Sequence, residues 1–270
     1  MTDPVLQEVA GRRLFLHREE HLTFGYTTID FNSIALKALF PGQPLLLLRQ
    51  VHGDRILAAG EWRPGIQGDG LLVGRGGAVA VIQTADCLPL FFCDDERRRG
   101  GVLHVGWRGL RQGIEERLAQ MLGPSLALFS FYLGPGIEGG CYEVGAELQE
   151  DFSKKPYAKD IFAPIRPGKL LLDLKEGLKK SLKGLGVGEG RIGDCGLCTY
   201  CARGVFPSYR REGGTGRRVF NFLTLGGPAA KPPTLLQKVV GAVVMAGVFM
   251  LALTFSVAFF AVLLTAGVAI

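Results

Sequence analysis

The chain has 270 residues, of which 47% are hydrophobic and 21% are charged, and its formal net charge is +6. This composition is typical of a folded protein with one large domain or two small ones, and it excludes a largely disordered chain. Basic residues are scattered among acidic ones except at Arg97–Arg99 and between Arg203 and Arg218. A nucleic-acid-binding protein usually carries a denser basic stripe, so we expect no nucleic-acid partner.

The six cysteines are compatible either with disulfides or with free thiols. The first residues, Met1–Arg13, are polar and mixed in charge and do not resemble a signal peptide. We therefore predict reduced thiols and a cytoplasmic location for the folded domain.

Short apolar runs bounded by turn residues predict five strands, at positions 44–51, 78–83, 88–93, 101–104 and 126–133. Apolar residues then recur every fourth position at Leu110, Ile114, Leu118 and Leu122, which predicts a helix after the fourth strand. Further helices are predicted near 144–152 and after Asp173, a helix-capping residue type. Strands and helices alternate, which favours an α/β or α+β fold without specifying the strand order.

His52, Cys87 and His104 each lie where a predicted strand ends, which is where functional sites are usually assembled. Their spacing excludes a local zinc knuckle, so only the fold could bring them together. Taken singly, each histidine is more often a structural or surface residue than a ligand. A cysteine between two apolar runs is likewise more often a small buried side chain.

Five motifs in order resemble the signatures of the YfiH family, which was long named for laccase-like polyphenol oxidation. The resemblance covers roughly residues 14–225. It implies an α+β fold, a layered α/β/β/α sandwich, with zinc-dependent phosphorolysis of purine nucleosides (adenosine, inosine, guanosine and methylthioadenosine) and deamination of adenosine. Some members are also described as peptidoglycan editing factors. The motifs are RQVHGD at 49–54, TADCLPL at 84–90, HVGWRG at 104–109, GPGIEGGCYEVG at 134–145 and SYRREGGTGR at 208–217.

Matched residue by residue, the resemblance implies that His52, Cys87 and His104 are the zinc ligands. Two imidazoles and one thiolate leave a fourth tetrahedral position open for water or substrate, as in catalytic zinc sites. The same donor set suits zinc or copper(I) better than magnesium or calcium. Copper is the less favoured ion, because a laccase needs more histidines than the four present.

Further residues in the motifs are candidates for the reaction itself. Arg108, at a predicted strand-to-helix junction, is a candidate for catalysis and phosphate binding, and Arg49 is a second phosphate-binding candidate. Cys87 is also a catalytic candidate, and Cys141 contacts either the substrate or only the core. Asp69 is either a plain turn residue or the carboxylate that orients a ligand histidine through its remote nitrogen.

The C-x2-C-x2-C run of Cys195, Cys198 and Cys201 is a competing metal signal. The sequence contains no cysteine or histidine after this run that could act as a fourth ligand. A structural zinc or iron–sulfur site and a set of unliganded thiols both remain open. A membrane-tethered thiol or metal sensor is the non-enzymatic alternative to the nucleoside enzyme and to an editing role on cell-wall precursors.

The composition changes sharply near the end of the chain. Residues 1–225 are assigned to the catalytic domain, and the Gly- and Pro-rich stretch 226–238 is assigned to a linker. Residues 239–270 contain no charged side chain, which predicts a C-terminal transmembrane helix. The expected protein is therefore a monomer whose cytoplasmic domain is tail-anchored in the inner membrane and acts on purine nucleosides and inorganic phosphate.

Overall fold

The computed structural model describes residues Met1–Gly226. The strands in chain order are β1 (Val5–Val9), β2 (Arg12–Arg18), β3 (Leu22–Thr27), β4 (Leu45–Leu47), β5 (Ile56–Ala58), β6 (Gly70–Gly74), β7 (Val79–Thr84), β8 (Leu88–Asp94), β9 (Arg99–Val105), β10 (Phe129–Leu133), β11 (Glu143–Gly145), β12 (Phe162–Arg166), β13 (Lys169–Leu172), β14 (Ile192–Asp194) and β15 (Val219–Leu225). The helices are α1 (Ser33–Leu39), α2 (Trp107–Gln112), α3 (Ile114–Leu122), α4 (Leu148–Asp151), α5 (Leu174–Gly184) and α6 (Tyr209–Glu212). Short 3-10 helices occur at Ala59–Glu61, Gly123–Leu128, Gly139–Cys141, Ala158–Asp160 and Glu189–Arg191.

Two six-stranded sheets form the centre of the described region. The first has the order β1-β2-β3-β15-β7-β4, and the second has the order β14-β10-β8-β9-β6-β5. Most neighbouring strands are antiparallel, whereas β4 with β7, β5 with β6 and β10 with β14 are parallel. A small third sheet has the order β11-β13-β12. The connection from β7 to β8 therefore passes from the first large sheet to the second.

Three apolar clusters define the layers. Side chains from facing surfaces of the two large sheets, such as Phe24 of β3 and Phe91 of β8, pack together as a central core. The outer face of the first sheet packs against α1. The outer face of the second sheet packs against α2, α3 and α5. This is the layered α/β/β/α sandwich that the resemblance implies, and it buries the central strands of both large sheets on both faces.

The predicted strands and the first long helix occur near their expected positions. The predicted strands at 78–83, 88–93 and 101–104 correspond to β7, β8 and β9. The four-residue repeat from Leu110 to Leu122 is buried as predicted. However, Gly113 adopts a left-handed φ of 85°, which ends α2 and begins α3, so the apolar face belongs to two short helices.

The helix predicted near 144–152 is mostly wrong. Only Leu148–Asp151 is helical, and Glu143–Gly145 forms a strand that pairs with β13. The predicted strand at 44–51 is also shorter than expected, because only Leu45–Leu47 pairs with β7. In contrast, Asp173 caps α5 as predicted, and its Oδ1 accepts a hydrogen bond of 2.9 Å from the Glu176 backbone amide.

The transmembrane helix and the membrane anchor require correction. In the part of the chain that the structure describes, no helix is long and apolar enough to cross a membrane. The longest helix there, α5, has 11 residues, which gives a length of about 16 Å against about 30 Å of hydrocarbon. The predicted span over 239–270 lies outside the described residues, as does most of the predicted linker. A membrane partner and an inner-membrane location are therefore withdrawn.

Candidate metal centre

His52, Cys87 and His104 come together although they lie far apart in the sequence. His52 lies in the loop between β4 and β5, Cys87 in the connection between the two large sheets, and His104 near the end of β9. One ligand atom from each side chain lies within 4.8 Å of the others. The imidazole rings of the two histidines have centroids 4.7 Å apart, with an angle of 75° between the ring planes.

Asp69 orients His104 from the side opposite Cys87. The carboxylate is fully buried, and its Oδ1 lies 2.8 Å from His104 Nδ1. His104 is itself only 3% exposed, so its ring has little freedom to rotate. With Nδ1 engaged, Nε2 is the ring nitrogen available to an ion, and such a carboxylate–histidine pair is a common support for metal-binding histidines. The proposed orienting role of Asp69 therefore has the geometry that it requires.

Asp69 also shapes the turn that positions His52. Its Oδ1 accepts a 2.9 Å hydrogen bond from the His52 amide, and its Oδ2 accepts bonds of 2.8 and 3.2 Å from the amides of Gly53 and Val51. His52 has a φ of 60°, which is in the left-handed region that residues other than glycine rarely adopt. Three amides converging on one buried carboxylate keep the loop in this conformation.

Gly106 allows the third strand end to approach the other two. A Cβ atom at this position would lie 3.0 Å from Cys87 Sγ and 3.3 Å from His52 Cδ2. Gly106 also precedes the first turn of α2, with an extended φ of −90° that an alanine could adopt. The absence of a side chain here is therefore a packing requirement of the site rather than a backbone requirement.

The pKa values of Cys87, His104 and Asp69 depend on their burial and on their contacts with one another. Burial raises the pKa of the Cys87 thiol, but the charge of His104 and hydrogen bonds from His104 and His52 more than offset it and bring the pKa to about 6. Burial lowers the pKa of His104, whereas the Cys87 thiolate and the hydrogen bond to Asp69 raise it to about 9. Burial raises the pKa of Asp69, but the hydrogen bonds from His104 and the loop amides have a larger, opposite effect and leave this pKa below its usual range. Without an ion, the contact between the two side chains thus favours a Cys87 thiolate beside a His104 imidazolium.

The donor set fits a single zinc ion. Zinc–sulfur and zinc–nitrogen bonds of about 2.3 and 2.0–2.1 Å place a sulfur and a nitrogen on the same ion at most about 4.4 Å apart. Ligand atoms within 4.8 Å of one another can reach that separation by a small inward movement. The residues that would hold the ion are His52, Cys87 and His104, and a three-ligand set leaves one position for a reactant.

Tyr142 and Arg210 lie beside this group. The Arg210 guanidinium is 5.1 Å from the centre of the Tyr142 ring, and it also donates to the Glu143 backbone carbonyl. Burial and the nearby Cys87 raise the pKa of Tyr142 to about 12, against the lowering effect of Arg210 and Arg108. The phenol is therefore a neutral hydrogen-bond donor at physiological pH, close to both the cysteine and the two arginines.

Asp86, which precedes Cys87, connects the site to the C-terminal loops. Its carboxylate accepts hydrogen bonds of 2.7 Å from Thr199 Oγ1 and 3.0 Å from Ser208 Oγ. It also accepts a 2.7 Å bond from the Arg210 amide at the first turn of α6. Asp86 has a φ of 89°, so these contacts hold the connection between the two sheets in an unusual backbone conformation next to Cys87.

Arg108 and Arg111 both contact Trp107 but differ in their partners. Their guanidinium carbons lie 4.7 and 5.9 Å from the centre of the Trp107 ring, respectively. Arg111 forms a 2.8 Å ion pair with Asp151. Arg108 is exposed, and no hydrogen bond or ion pair within Met1–Gly226 uses its guanidinium. Of these two arginines, Arg108 is therefore the one without a carboxylate partner among the described residues.

Comparison with known proteins identifies the family of this chain. A family model described as multi-copper polyphenol oxidoreductase laccase matches residues 29–224. The protein named purine nucleoside phosphorylase YfiH in Escherichia coli K12 is 35% identical over 179 residues, which cover 66% of this chain and 72% of that protein. The chain belongs to the YfiH family. A further relative, named purine nucleoside phosphorylase in Deinococcus radiodurans, is 34% identical over 185 residues, covering 66% of this chain and 69% of that protein.

Solved structures show the same YfiH-family fold. YfiH of Bacillus licheniformis superposes with a TM-score of 0.73 at 25% identity, covering 82% of this chain and 98% of that one. A Neisseria meningitidis protein superposes with a TM-score of 0.72 at 27% identity, covering 79% of this chain and 99% of that one. The mixed fold described here is therefore the fold of the family.

Two of the other sequence candidates in this YfiH-family chain contact residues other than the three proposed ligands. Arg49 is exposed, and its guanidinium contacts the side-chain amide of Gln67. Cys141 groups with Cys198 and Cys201 instead, and its sulfur lies 3.3 Å from that of Cys201.

The C-x2-C-x2-C run does not form one cluster. Cys195 packs against the core between the two sheets, where burial raises the pKa of its thiol to about 11. Cys198 and Cys201 turn away from it and meet Cys141. Burial raises the pKa of Cys198, but hydrogen bonds, foremost from the backbone amides of Glu138 and Cys201, leave it below its ordinary value.

Sequence reasoning missed Tyr142 and Asp86 as members of the site. Both stand inside the motifs that reveal the YfiH resemblance, directly beside Cys141 and Cys87. Neither residue type is a metal ligand signal in these positions, and only the folded chain shows that Tyr142 lies near Cys87. Their place within the motifs is the signal that could have identified them.

Proposed function

We propose that this chain is a zinc-dependent purine nucleoside phosphorylase that also deaminates adenosine. The observation that supports the proposal best is the grouping of His52, Cys87 and His104 within 4.8 Å, with a buried carboxylate behind His104. Relatives that are named purine nucleoside phosphorylases, at about one-third identity, give the substrate class. Such a three-donor group at the meeting point of several loops is the usual setting for a catalytic zinc.

The two proposed reactions need different partners at one site. Phosphorolysis converts a purine nucleoside and inorganic phosphate into the free base and ribose 1-phosphate. Deamination converts adenosine and water into inosine and ammonia. Zinc, when bound, supplies a Lewis acid beside the substrate. The remaining requirements, a phosphate-binding group and groups that orient the nucleoside, must come from the side chains around it.

Arg108 is the proposed phosphate-binding residue. Its guanidinium lies over the Trp107 ring and has no carboxylate partner within the described residues. An arginine can bind two phosphate oxygens at once, and stacking on an aromatic ring limits the entropy lost on binding. Arg108 lies in the first turn of α2, which directly follows the strand that carries His104, so a phosphate held there would lie near the proposed zinc. Arg49, which contacts Gln67, remains the weaker proposal for this role.

Tyr142 is proposed to orient the nucleoside. Its phenol stays protonated at physiological pH because burial and Cys87 raise its pKa to about 12. A neutral phenol can donate a hydrogen bond to a ring nitrogen or a ribose oxygen. The Arg210 guanidinium covers the Tyr142 ring, and the Asp86 carboxylate fixes the Arg210 backbone. Tyr142 is therefore presented from a rigid support.

Copper-dependent polyphenol oxidation is the less favoured alternative. The chain has four histidines, and the two outside the group are His17 and His21. His17 is buried in β2, where it contacts Thr2 and Glu19. His21 is half exposed beside Glu20. Neither belongs to the proposed metal-binding group. A multicopper centre needs more imidazoles around one site than these positions provide.

The test is a nucleoside screen with the zinc-loaded full chain. Adenosine, inosine, guanosine and methylthioadenosine are each incubated with and without inorganic phosphate, and bases, ribose 1-phosphates and ammonia are quantified. We expect phosphate-dependent release of free base, and phosphate-independent formation of inosine and ammonia from adenosine. Cys87→Ala should lose the zinc ion held with His52 and His104 and both activities, whereas Cys195→Ser, in the core, should keep both. A chain that holds one zinc at this site yet forms none of these products would refute the proposal.

A further inference from the structure

A second group of thiols lies outside the proposed catalytic centre. Cys141 comes from the loop between β10 and β11, and Cys198 and Cys201 come from the loop between β14 and α6. The three sulfurs lie within 4.8 Å of one another, and those of Cys141 and Cys201 are 3.3 Å apart. The residues that converge are thus not the three of the sequence run, because Cys141 takes the place of Cys195.

The turn that presents two of these sulfurs is held in place before any ion binds. Arg211 Nη1 donates hydrogen bonds of 2.6 and 2.7 Å to the carbonyls of Thr199 and Tyr200, between the two cysteines. Its Nη2 donates a 2.7 Å bond to the Phe206 carbonyl. Thr199 is also fully buried and bonded to Asp86. Because these contacts already order the turn, binding of an ion would cost less conformational entropy of the protein.

The opposite side of the group is equally fixed. The amide of Glu138 lies 3.5 Å from Cys198 Sγ and donates a hydrogen bond to it. The Glu138 side chain pairs at 2.5 Å with Lys175, which is 4% exposed and also bonds Asp194 at 3.1 Å. A backbone amide aimed at a sulfur favours the thiolate form, which is the form that binds metals.

We propose that Cys141, Cys198 and Cys201 bind one zinc ion, as a second metal site separate from His52, Cys87 and His104. Two thiolates on one zinc ion lie at most about 4.6 Å apart, and at about 3.8 Å in tetrahedral geometry. The observed sulfurs need only small adjustments to reach these separations. Three thiolates select a soft or borderline ion over magnesium or calcium, and binding displaces the thiol protons.

An ion at this second site would join the two loops that flank the first. Tyr142 follows Cys141 directly in the sequence. Arg210 lies in α6, the helix that follows the loop containing Cys198 and Cys201. These two side chains stack on each other beside Cys87. The second ion would therefore act as a structural support for the proposed substrate-orienting residues, and it would not itself contact the substrate.

The experiment counts metal ions in the full chain. Protein purified in reductant is stripped with a chelator, saturated with Zn²⁺, dialysed and analysed for zinc per chain. We expect two zinc ions in the wild type and in Cys195→Ser, the matched control from the same run. We expect one in Cys201→Ser and one in Cys198→Ser. Because Cys201 is exposed, its serine variant should fold, and the ion retained at the other site reports that it has.

Cadmium supplies a second readout that identifies the ligands. Cd²⁺ bound to thiolates absorbs in the ultraviolet in proportion to the number of cadmium–sulfur bonds. Three of the four proposed thiolate ligands belong to the second site, so Cys87→Ala should keep most of this absorption and Cys201→Ser should lose most of it. A wild-type chain with all thiols reduced whose zinc content is the same as that of Cys201→Ser would overturn the proposal. A Cys141–Cys201 disulfide that persists in reductant would overturn it equally.

Discussion

Replacement of Asp69 by asparagine should weaken the metal centre more than any other conservative change outside the three ligands. The carboxylate accepts hydrogen bonds from His104 and from the amides of Val51, His52 and Gly53. An asparagine keeps one acceptor oxygen and replaces the other by an NH2 donor. Whichever way the amide is turned, it must either misorient His104 or point a donor at the loop amides.

The size of the effect follows from these lost contacts. Removing a carboxylate that supports a ligand histidine typically costs 10–100-fold in metal affinity, or about 1.4–2.7 kcal/mol. A buried amide left without an acceptor costs about 1–3 kcal/mol of folding stability. We therefore expect Asp69→Asn to bind zinc at least tenfold more weakly and to unfold at lower urea concentration.

The assay is competition for zinc against a chromophoric chelator at fixed pH and ionic strength, together with urea unfolding. Asp54→Asn is the matched control, because Asp54 is exposed in the same turn and loses the same charge. The control should bind zinc like the wild type. A folded Asp69→Asn protein with wild-type zinc affinity would show that the carboxylate does not support the site.

Three further predictions concern packing, anion binding and pH. Gly106→Ala should weaken zinc binding roughly tenfold in the same competition assay, because the added Cβ would lie 3.0 Å from Cys87 Sγ. Gly60→Ala is the control and should bind zinc like the wild type, because the space around its Cβ is open. Equal zinc affinities of the two variants would contradict the packing argument. Arg108→Ala should raise the KM for phosphate and leave the zinc content unchanged, whereas Arg111→Ala, which loses a surface ion pair and the longer contact with Trp107, should leave the KM unaltered. An unchanged KM in the Arg108 variant would remove Arg108 from phosphate binding. Burial raises the pKa of Glu115 to about 7 in the folded protein from 4.5, so its contribution to stability is present below pH 4.5 and is lost as the pH rises through 7. Glu115→Gln should accordingly gain up to roughly 3 kcal/mol relative to the wild type between pH 4 and pH 8 in urea unfolding, and a pH-independent difference would refute this.

The strands that could be predicted from the sequence are the buried, continuous ones, because a short apolar run bounded by turn residues is typical of a buried strand. β7, β8 and β9 are of this kind, and the helical repeat after β9 is equally regular. The helix expected near 144–152 failed because Glu143–Gly145 gains more by pairing with β13 than by continuing a helix. That pairing partner lies more than 20 residues away and leaves no local signal.

The site was predictable only through the family motifs. Neither spacing nor composition shows that His52, Cys87 and His104 meet, since the meeting depends on the strand order of two sheets. Asp69 was open to either interpretation until its bond to His104 was seen. For the cysteine run, the local spacing was misleading. The spacing suggested that Cys195, Cys198 and Cys201 form one cluster, whereas in the folded chain Cys141 lies in the cluster instead of Cys195.

The most direct test of the account is anomalous diffraction at the zinc absorption edge from crystals of the zinc-loaded chain. We expect an anomalous peak about 2.0–2.3 Å from a nitrogen of His52, Sγ of Cys87 and Nε2 of His104. The peak should be absent from crystals of Cys87→Ala. Zinc-loaded crystals that show no anomalous density among these three side chains would contradict the central claim that they bind one ion.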